Sequence, residues 1–188
     1  MIKNKERKSL VKVLITIIIL TILVIISYLI LKKILYPLNH FEIVKQEASK
    51  NNLDPYLIMS IIKTESGFKK YATSKKEAKG LMQIMDSTAS EIKSNINDNF
   101  SEDLYDENVN IALGCKYFSN LVNKYNGNYY LAICAYNAGM GNVDKWIEQG
   151  IIDNNLAEYK NVDLPFQETK KYLNKVIESY NIYIKLYM

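Results

Sequence analysis

The chain has 188 residues, 24 Lys+Arg against 20 Asp+Glu, 48% hydrophobic and 23% charged residues, and only 7 Gly and 3 Pro. Those proportions exclude wholesale disorder and collagen-like or Pro/Gly low-complexity chains, and they disfavour a turn-rich all-β fold. Two Cys and the single His40 exclude a disulfide scaffold and argue against a Cys- or His-built metal site and a Ser-His-Asp triad.

The net charge of +4 is unevenly placed. Lys3, Lys5, Arg7, Lys8, Lys12, Lys32 and Lys33 face Glu6 alone in residues 1–33, while the remainder holds 17 Lys, 19 acids and no Arg. The basic balance belongs to the N-terminus, and the near-neutral bulk lacks the Arg-bearing basic face of a nucleic-acid module. No nucleic-acid partner is expected.

Residues 1–12 read as a basic tail. Residues 13–31 form an unbroken uncharged run, VLITIIILTILVIISYLIL. As a helix it spans about 28 Å, enough for the hydrocarbon core of a bilayer. A cleaved signal peptide would place small residues after the run, whereas here it ends in Leu29-Ile30-Leu31 and meets Lys32-Lys33. The run is therefore expected to be an uncleaved signal-anchor in a cell membrane. Five basic residues precede it and two follow, so the N-terminus is expected in the cytoplasm and the bulk of the chain on the outer side, as a single-pass protein. Residues 32–40 make a short linker, which limits reach from the bilayer to a few nanometres. Residues 41–188 make a domain large enough to bury a core.

Within that domain the apolar spacing is helical throughout, and no period-2 strand or internal repeat is found. Helices are expected over His40–Asn52, from Asp54-Pro55 to about Ser66, over Asp86–Ser94, Glu107–Tyr125, Tyr129–Ala138, Asn142–Gln149 and Phe166–Tyr187. Asp54 supplies a cap, Pro55 suits the first helical position, and Gly67, Gly127 and Gly139 provide stops. Cys115 and Cys134 fall on consecutive helices. If these form a hairpin turning at Gly127, the stagger of about 7.5 Å along the axis is unfavourable for a disulfide, and two buried thiols are expected. Tyr180, Tyr183 and Tyr187 recur at helical spacing and read as packing residues, or as residues facing the membrane.

Glu65 is the residue whose position most demands an explanation. Ile58, Ile61 and Ile62 mark the buried stripe of its helix, and Glu65 falls on the same face. Burial raises a carboxyl's pKa, and a helix C-terminus acts in the same direction. Both keep the proton on near neutrality, as a general acid requires. The plain alternative, a carboxylate reaching around the helix end to water or a lysine, fits this pattern too.

Five ordered segments, Glu65-Ser66-Gly67-Phe68, Ala78-Lys79-Gly80-Leu81-Met82-Gln83-Ile84, Glu107-Asn108-Val109-Asn110-Ile111, Ala135-Tyr136-Asn137-Ala138-Gly139-Met140-Gly141 and Leu164 to Tyr172, resemble the soluble lytic transglycosylase (SLT) domain family. The resemblance covers about residues 41–180. It implies a lysozyme-like (goose-type/SLT) α fold, in keeping with the all-α reading of the spacing and with one transmembrane helix ahead of the domain. It further implies cleavage of peptidoglycan between N-acetylmuramic acid and N-acetylglucosamine, with a 1,6-anhydro end formed by Glu65 acting first as acid and then as base. Ser74 matches a family serine beside the acid or intermediate, and equally suits a loop cap. Met82 and Gln83 match cleft-lining positions, although Met82 also fits a core. Tyr136, Asn137 and Glu168 match substrate-binding positions, with a core Tyr and a helix-start acid as alternatives. Asn110, Gly114 and Tyr117 read as structural, and Gly80 as a point of close backbone approach. Neither cofactor nor metal is implied. Met85-Asp86 and Gly139-Met140-Gly141 depart from the family's usual Met-Pro and Gly-Pro-Gly. Lys69, Lys70, Lys75, Lys76 and Lys79 form a basic loop that reads as solvated, or as a rim attracting anionic wall groups. Glu77 reads as a solvated loop acid, so no second catalytic carboxylate is expected. A muramidase on the same fold and a non-catalytic wall-binding scaffold are the alternatives.

Overall fold

Helix α1 occupies Ile2–Ile30, and a widened π-helical turn follows over Leu31–Leu35. This computed structural model describes residues 2–96, 101–154, 156 and 163–188. Its backbone contacts divide it into two units, Met1–Leu38 and Asn39–Met188. In the first unit the helix begins within the basic tail, since Lys, Arg and Glu are good helix formers and no Gly or Pro interrupts them. The stretch Ser9–Leu35 is long and apolar enough to cross a membrane, and none of it is buried within the protein. Its two threonine hydroxyls are satisfied inside the helix: Thr16 Oγ1 donates to the Lys12 carbonyl and Thr21 Oγ1 to the Ile17 carbonyl, each at 2.9 Å. Such internal pairing removes the penalty those hydroxyls would incur in lipid.

The second unit is helical. Its described residues form α2 (Phe41–Lys50), α3 (Pro55–Glu65), α4 (Asp86–Ile96), α5 (Glu107–Lys124), α6 (Tyr129–Ala138), α7 (Met140–Glu148) and α8 (Gln167–Tyr187). They contain no strand, only two isolated antiparallel bridges, Thr73 with Lys79 and Lys79 with Ile84. The starts follow from side-chain caps. Asp54 accepts from Tyr56 N at 2.7 Å, Asp106 from Asn108 N and Val109 N at 2.8 and 3.1 Å, and Asn128 from Tyr130 N and Leu131 N at 3.1 and 3.2 Å. Helix α7 starts two residues earlier than its polar composition suggests, because the Gly139 carbonyl already accepts from Asn142 N and Val143 N.

Helix α3 is the axis of the unit. Leu57 through Ile62 are all buried, so it is enclosed on every side rather than along the single stripe that Ile58, Ile61 and Ile62 trace. Helix α8 packs along it most extensively, with α2 on another side, while α6 contacts α5, α7 and α8. Ile58, Ile61, Ile62, Leu113, Phe118 and Tyr183 fill the interior with no exposure above 1%. Tyr56 stacks with Phe41, Tyr183 and Tyr187 at ring separations of 5.3, 6.4 and 6.3 Å, and Tyr180 donates to Asp54 Oδ2 at 2.8 Å. The tyrosines of α8 thus pack against the domain. Cys115 and Cys134 are buried free thiols.

One buried polar residue ties the α3–α4 connection to α5. Asn110 is fully buried; its Oδ1 accepts from Met82 N at 2.7 Å, and its Nδ2 donates to the Lys79 and Leu104 carbonyls at 2.9 and 2.8 Å. Gly80 passes directly over this amide with φ +77°. A Cβ there would lie 2.4 Å from Asn110 Nδ2 and 2.5 Å from the Leu104 carbonyl oxygen. The close approach that requires glycine is therefore to the protein's own interior.

Candidate active site

A groove of about 650 Å³ opens where α3 ends, walled by the loop at 74–78, the turn at 83–85, the start of α4, the end of α6 and the start of α8. Glu65, Ser74, Gln83, Tyr136, Asn137 and Glu168 all line it. Met82 does not. Its side chain is fully buried and lies so close over Gly114 that a Cβ on that glycine would come within 2.8 Å of the Met82 Cβ. Met82 serves the site through its backbone, whose carbonyl accepts from the Tyr136 hydroxyl at 2.7 Å.

Glu65 is the last residue of α3, so its side chain leaves the enclosed helix just where the groove opens. Burial pushes its carboxyl up from the ordinary 4.5 to about 7, against the opposing pull of a hydrogen bond from Tyr172. That bond, Tyr172 Oη to Glu65 Oε1, is 2.6 Å long. Tyr172 lies in α8 and is buried; burial and the adjacent Glu65 push its phenol well above 10, so it remains a donor. The Tyr136 phenol is raised for the same two reasons, burial foremost.

The rest of the wall is held by a few specific bonds. Gln83 adopts φ +52°, and its Nε2 donates to the Ala72 and Gly80 carbonyls at 3.2 and 2.9 Å, which leaves the amide oxygen as its open acceptor. Asn137 Oδ1 accepts from Thr169 Oγ1 at 2.8 Å, fixing its amide beside Glu168, whose own side chain is exposed. Ser74 Oγ accepts from Lys76 N and Ala78 N at 3.2 and 3.1 Å. The serine therefore caps its loop, and its hydroxyl hydrogen remains available to the groove. Tyr117 packs against Tyr136 with the rings 5.3 Å apart and tilted by 50°, and it joins the wall, extending the aromatic surface.

Residue reasoning missed three features. Tyr172 was visible only as part of a family segment, Tyr117 only as structural, and Lys75 and Lys76 only as members of a basic loop read as solvated or as a rim, of which these two line the groove. Glu77 is exposed and lies off the groove wall, but Glu168 places a second carboxylate in the same groove as Glu65. The described residues contain no cluster of three or more His, Cys, Asp or Glu that would hold a metal ion.

The family model for the transglycosylase SLT domain matches residues 42–157. The chain is 30% identical over 158 residues to the membrane-bound lytic murein transglycosylase C of Pectobacterium atrosepticum, covering 73% of this chain and 44% of that protein. Its fold is similar to that of an inactive mutant of the lytic transglycosylase Slt from Pseudomonas aeruginosa, with a TM-score of 0.72 and 32% identity over 82% of this chain and 25% of that one. It is also similar to the 70 kDa soluble lytic transglycosylase of Escherichia coli, with a TM-score of 0.71 and 29% identity over 81% of this chain and 25% of that one. The chain thus spans less than half the length of these relatives.

Proposed function

Because this chain belongs to the transglycosylase SLT-domain family, we propose that it is a peptidoglycan lytic transglycosylase whose acid and base are one group, Glu65. The observation that carries this reading is a carboxyl raised to about 7 at the mouth of a groove, with a buried tyrosine holding one of its oxygens. In its neutral form Glu65 donates its proton to the oxygen between N-acetylmuramic acid and N-acetylglucosamine. The C1–O bond breaks, the leaving sugar departs as an alcohol, and the positive charge developing at C1 is stabilised by the substrate's own acetamide. The Glu65 carboxylate, still bonded to Tyr172, then removes the proton from the C6 hydroxyl. That oxygen attacks C1, the 1,6-anhydro ring closes, and Glu65 is again protonated. Acid and base roles alternate on one group, and no water is consumed.

Gln83 offers its amide oxygen to the N–H of an acetamide, Asn137 its amide hydrogens, and Ser74 its hydroxyl hydrogen. Tyr136 and Tyr117 provide an aromatic wall for a sugar face. Residues 13–31 hold the enzyme in the cytoplasmic membrane with the N-terminus inside, and the domain works on the wall side, as the excess of basic residues before the span favours.

Hydrolysis is the second reading, and Glu168 is its basis, since an inverting muramidase needs a second carboxylate about 6.5–9.5 Å from the acid to activate water. Mass spectrometry of a peptidoglycan digest separates the two. The lyase gives 1,6-anhydromuramyl ends, the Glu65→Gln variant gives none, and Glu168→Gln keeps the anhydro product. Reducing ends that disappear in Glu168→Gln would establish hydrolysis instead.

A further inference from the structure

A second cleft, of about 550 Å³, lies at the other end of α3 from Glu65 and shares no lining residue with the groove. Asp54 caps the start of α3 and lines the cleft; Glu65 closes the helix and lines the groove. The two are about 16 Å apart along the axis at ~1.5 Å per residue. Helix α6 likewise gives its start, from Asn128, to the cleft and its end, from Tyr136, to the groove. Leu57, Leu156 and Ile177 make a buried apolar floor. Tyr129 stands over it, 38% exposed, with its ring 6.4 Å from that of buried Phe118. The polar groups are few, and most are fixed by bonds of their own. Asp54 accepts at both oxygens, from Tyr56 N at 2.7 Å and from the Tyr180 hydroxyl at 2.8 Å, which leaves the Tyr180 oxygen as an acceptor. Asn128 accepts from Tyr130 N and Leu131 N and donates to the Leu156 carbonyl at 3.2 Å, which leaves one amide hydrogen. Asn181 is exposed and adds both an amide donor and an acceptor.

This lining disfavours charged ligands. The described residues that line the cleft include no Lys or Arg, so a carboxylate or phosphate meets no countercharge, and the one carboxylate, Asp54, is already bonded at both oxygens. An apolar floor, tyrosine rings and a few placed donors and acceptors suit a neutral ligand with apolar faces and polar edges. N-acetylated sugars have that character. Resting on the transglycosylase reading above, we propose that this cleft binds N-acetylated sugars of the wall's glycan strands, as a holding site outside the catalytic groove. A polymer offers many equivalent stretches. One stretch occupies the cleft while another enters the groove, and this tethering raises the effective concentration of substrate at Glu65.

The test uses the full chain in a detergent without a sugar headgroup. In the Glu65→Gln background, which removes turnover, the trisaccharide of N-acetylglucosamine is added while side-chain NMR signals of Asn128 and Tyr130 in the cleft and of Gln83 and Tyr117 in the groove are followed. The cleft signals are expected to shift and saturate. Adding Tyr129→Ala with Asn181→Ala should abolish that shift and leave the groove response intact; Asn181→Ala alone, at an exposed position, should weaken it. In the wild-type background the double variant is expected to raise KM on long strands about five- to tenfold, the size of one aromatic contact, with kcat unchanged. On tetrasaccharide fragments, too short to fill groove and cleft together, KM should not change. Cleft signals that ignore the trisaccharide, an unchanged KM on long strands, or an equal rise on the fragments would each overturn the assignment. Those outcomes leave the transglycosylase reading standing. A wild type that yields no anhydro ends would overturn that reading, while the titration, which needs no turnover, still reports whether the cleft holds sugar.

Discussion

At Glu65 two effects oppose each other and burial wins. Loss of water raises the carboxyl, the Tyr172 hydrogen bond lowers it, and the balance lies at about 7. The raised value has a consequence for stability. Below pH 4.5 the carboxyl is protonated in both folded and unfolded chains and costs nothing. As pH rises from 4.5 through 7 the unfolded chain gives up its proton more readily, so folding loses up to about 3 kcal/mol, and the loss levels off above 7. Glu65→Gln should therefore match the wild type in denaturant unfolding at pH 4 and exceed it at pH 8, while abolishing cleavage. Tyr172→Phe removes the bond that favours the charged form. The alkaline limb of its kcat/KM profile should shift to higher pH, with kcat lowered about tenfold, the size of one charge-assisted bond; an unmoved limb would leave Tyr172 with a packing role only. Glu65 was legible because a carboxylate on an apolar helical face has few explanations. Tyr172 was not, since 107 residues separate the pair and nothing local distinguishes it from Tyr180 on the same helix.

At the scale of elements, helix ends were the readable feature and enclosure was not. Asp54, Asp106 and Asn128 cap as their chemistry dictates, whereas α3 is buried on all sides because α2 and α8 cover what a single apolar stripe leaves open. The groove wall depends on α5 through Asn110. Asn110→Ala strands two buried backbone partners, the Met82 N–H and the Leu104 carbonyl, while the Lys79 carbonyl keeps its bond from Ile84 N, and should cost about 2–4 kcal/mol; Gly80→Ala forces a Cβ into that amide and should cost a similar amount by overpacking and a strained φ. Thermal melts of the two variants check both. Burial also raises both thiols, Cys134 to about 12 and Cys115 further. A disulfide-exchange reagent should label neither in the native protein and both after unfolding.

At the scale of the molecule, charge and hydropathy divide the chain as its contacts do. The basic, lipid-length helix lies within residues 1–38, and the near-neutral helical domain occupies 39–188. A truncation keeping residues 39–188 should fold, cleave strands in solution and no longer sediment with membranes; an insoluble fragment would show that the domain needs its leading helix. A lipid-length apolar helix and a helical domain were readable because both depend on composition and periodicity. The groove was not, because it is assembled from loops and helix ends far apart in the chain. In the proposed mechanism every step turns on the proton of one carboxyl. Carbon-13 NMR titration of the Glu65 side-chain carboxyl is predicted to give a midpoint near pH 7, coincident with the alkaline fall in kcat/KM. A midpoint near the ordinary 4.5, or a rate profile that ignores the titration, would contradict Glu65 as the proton donor.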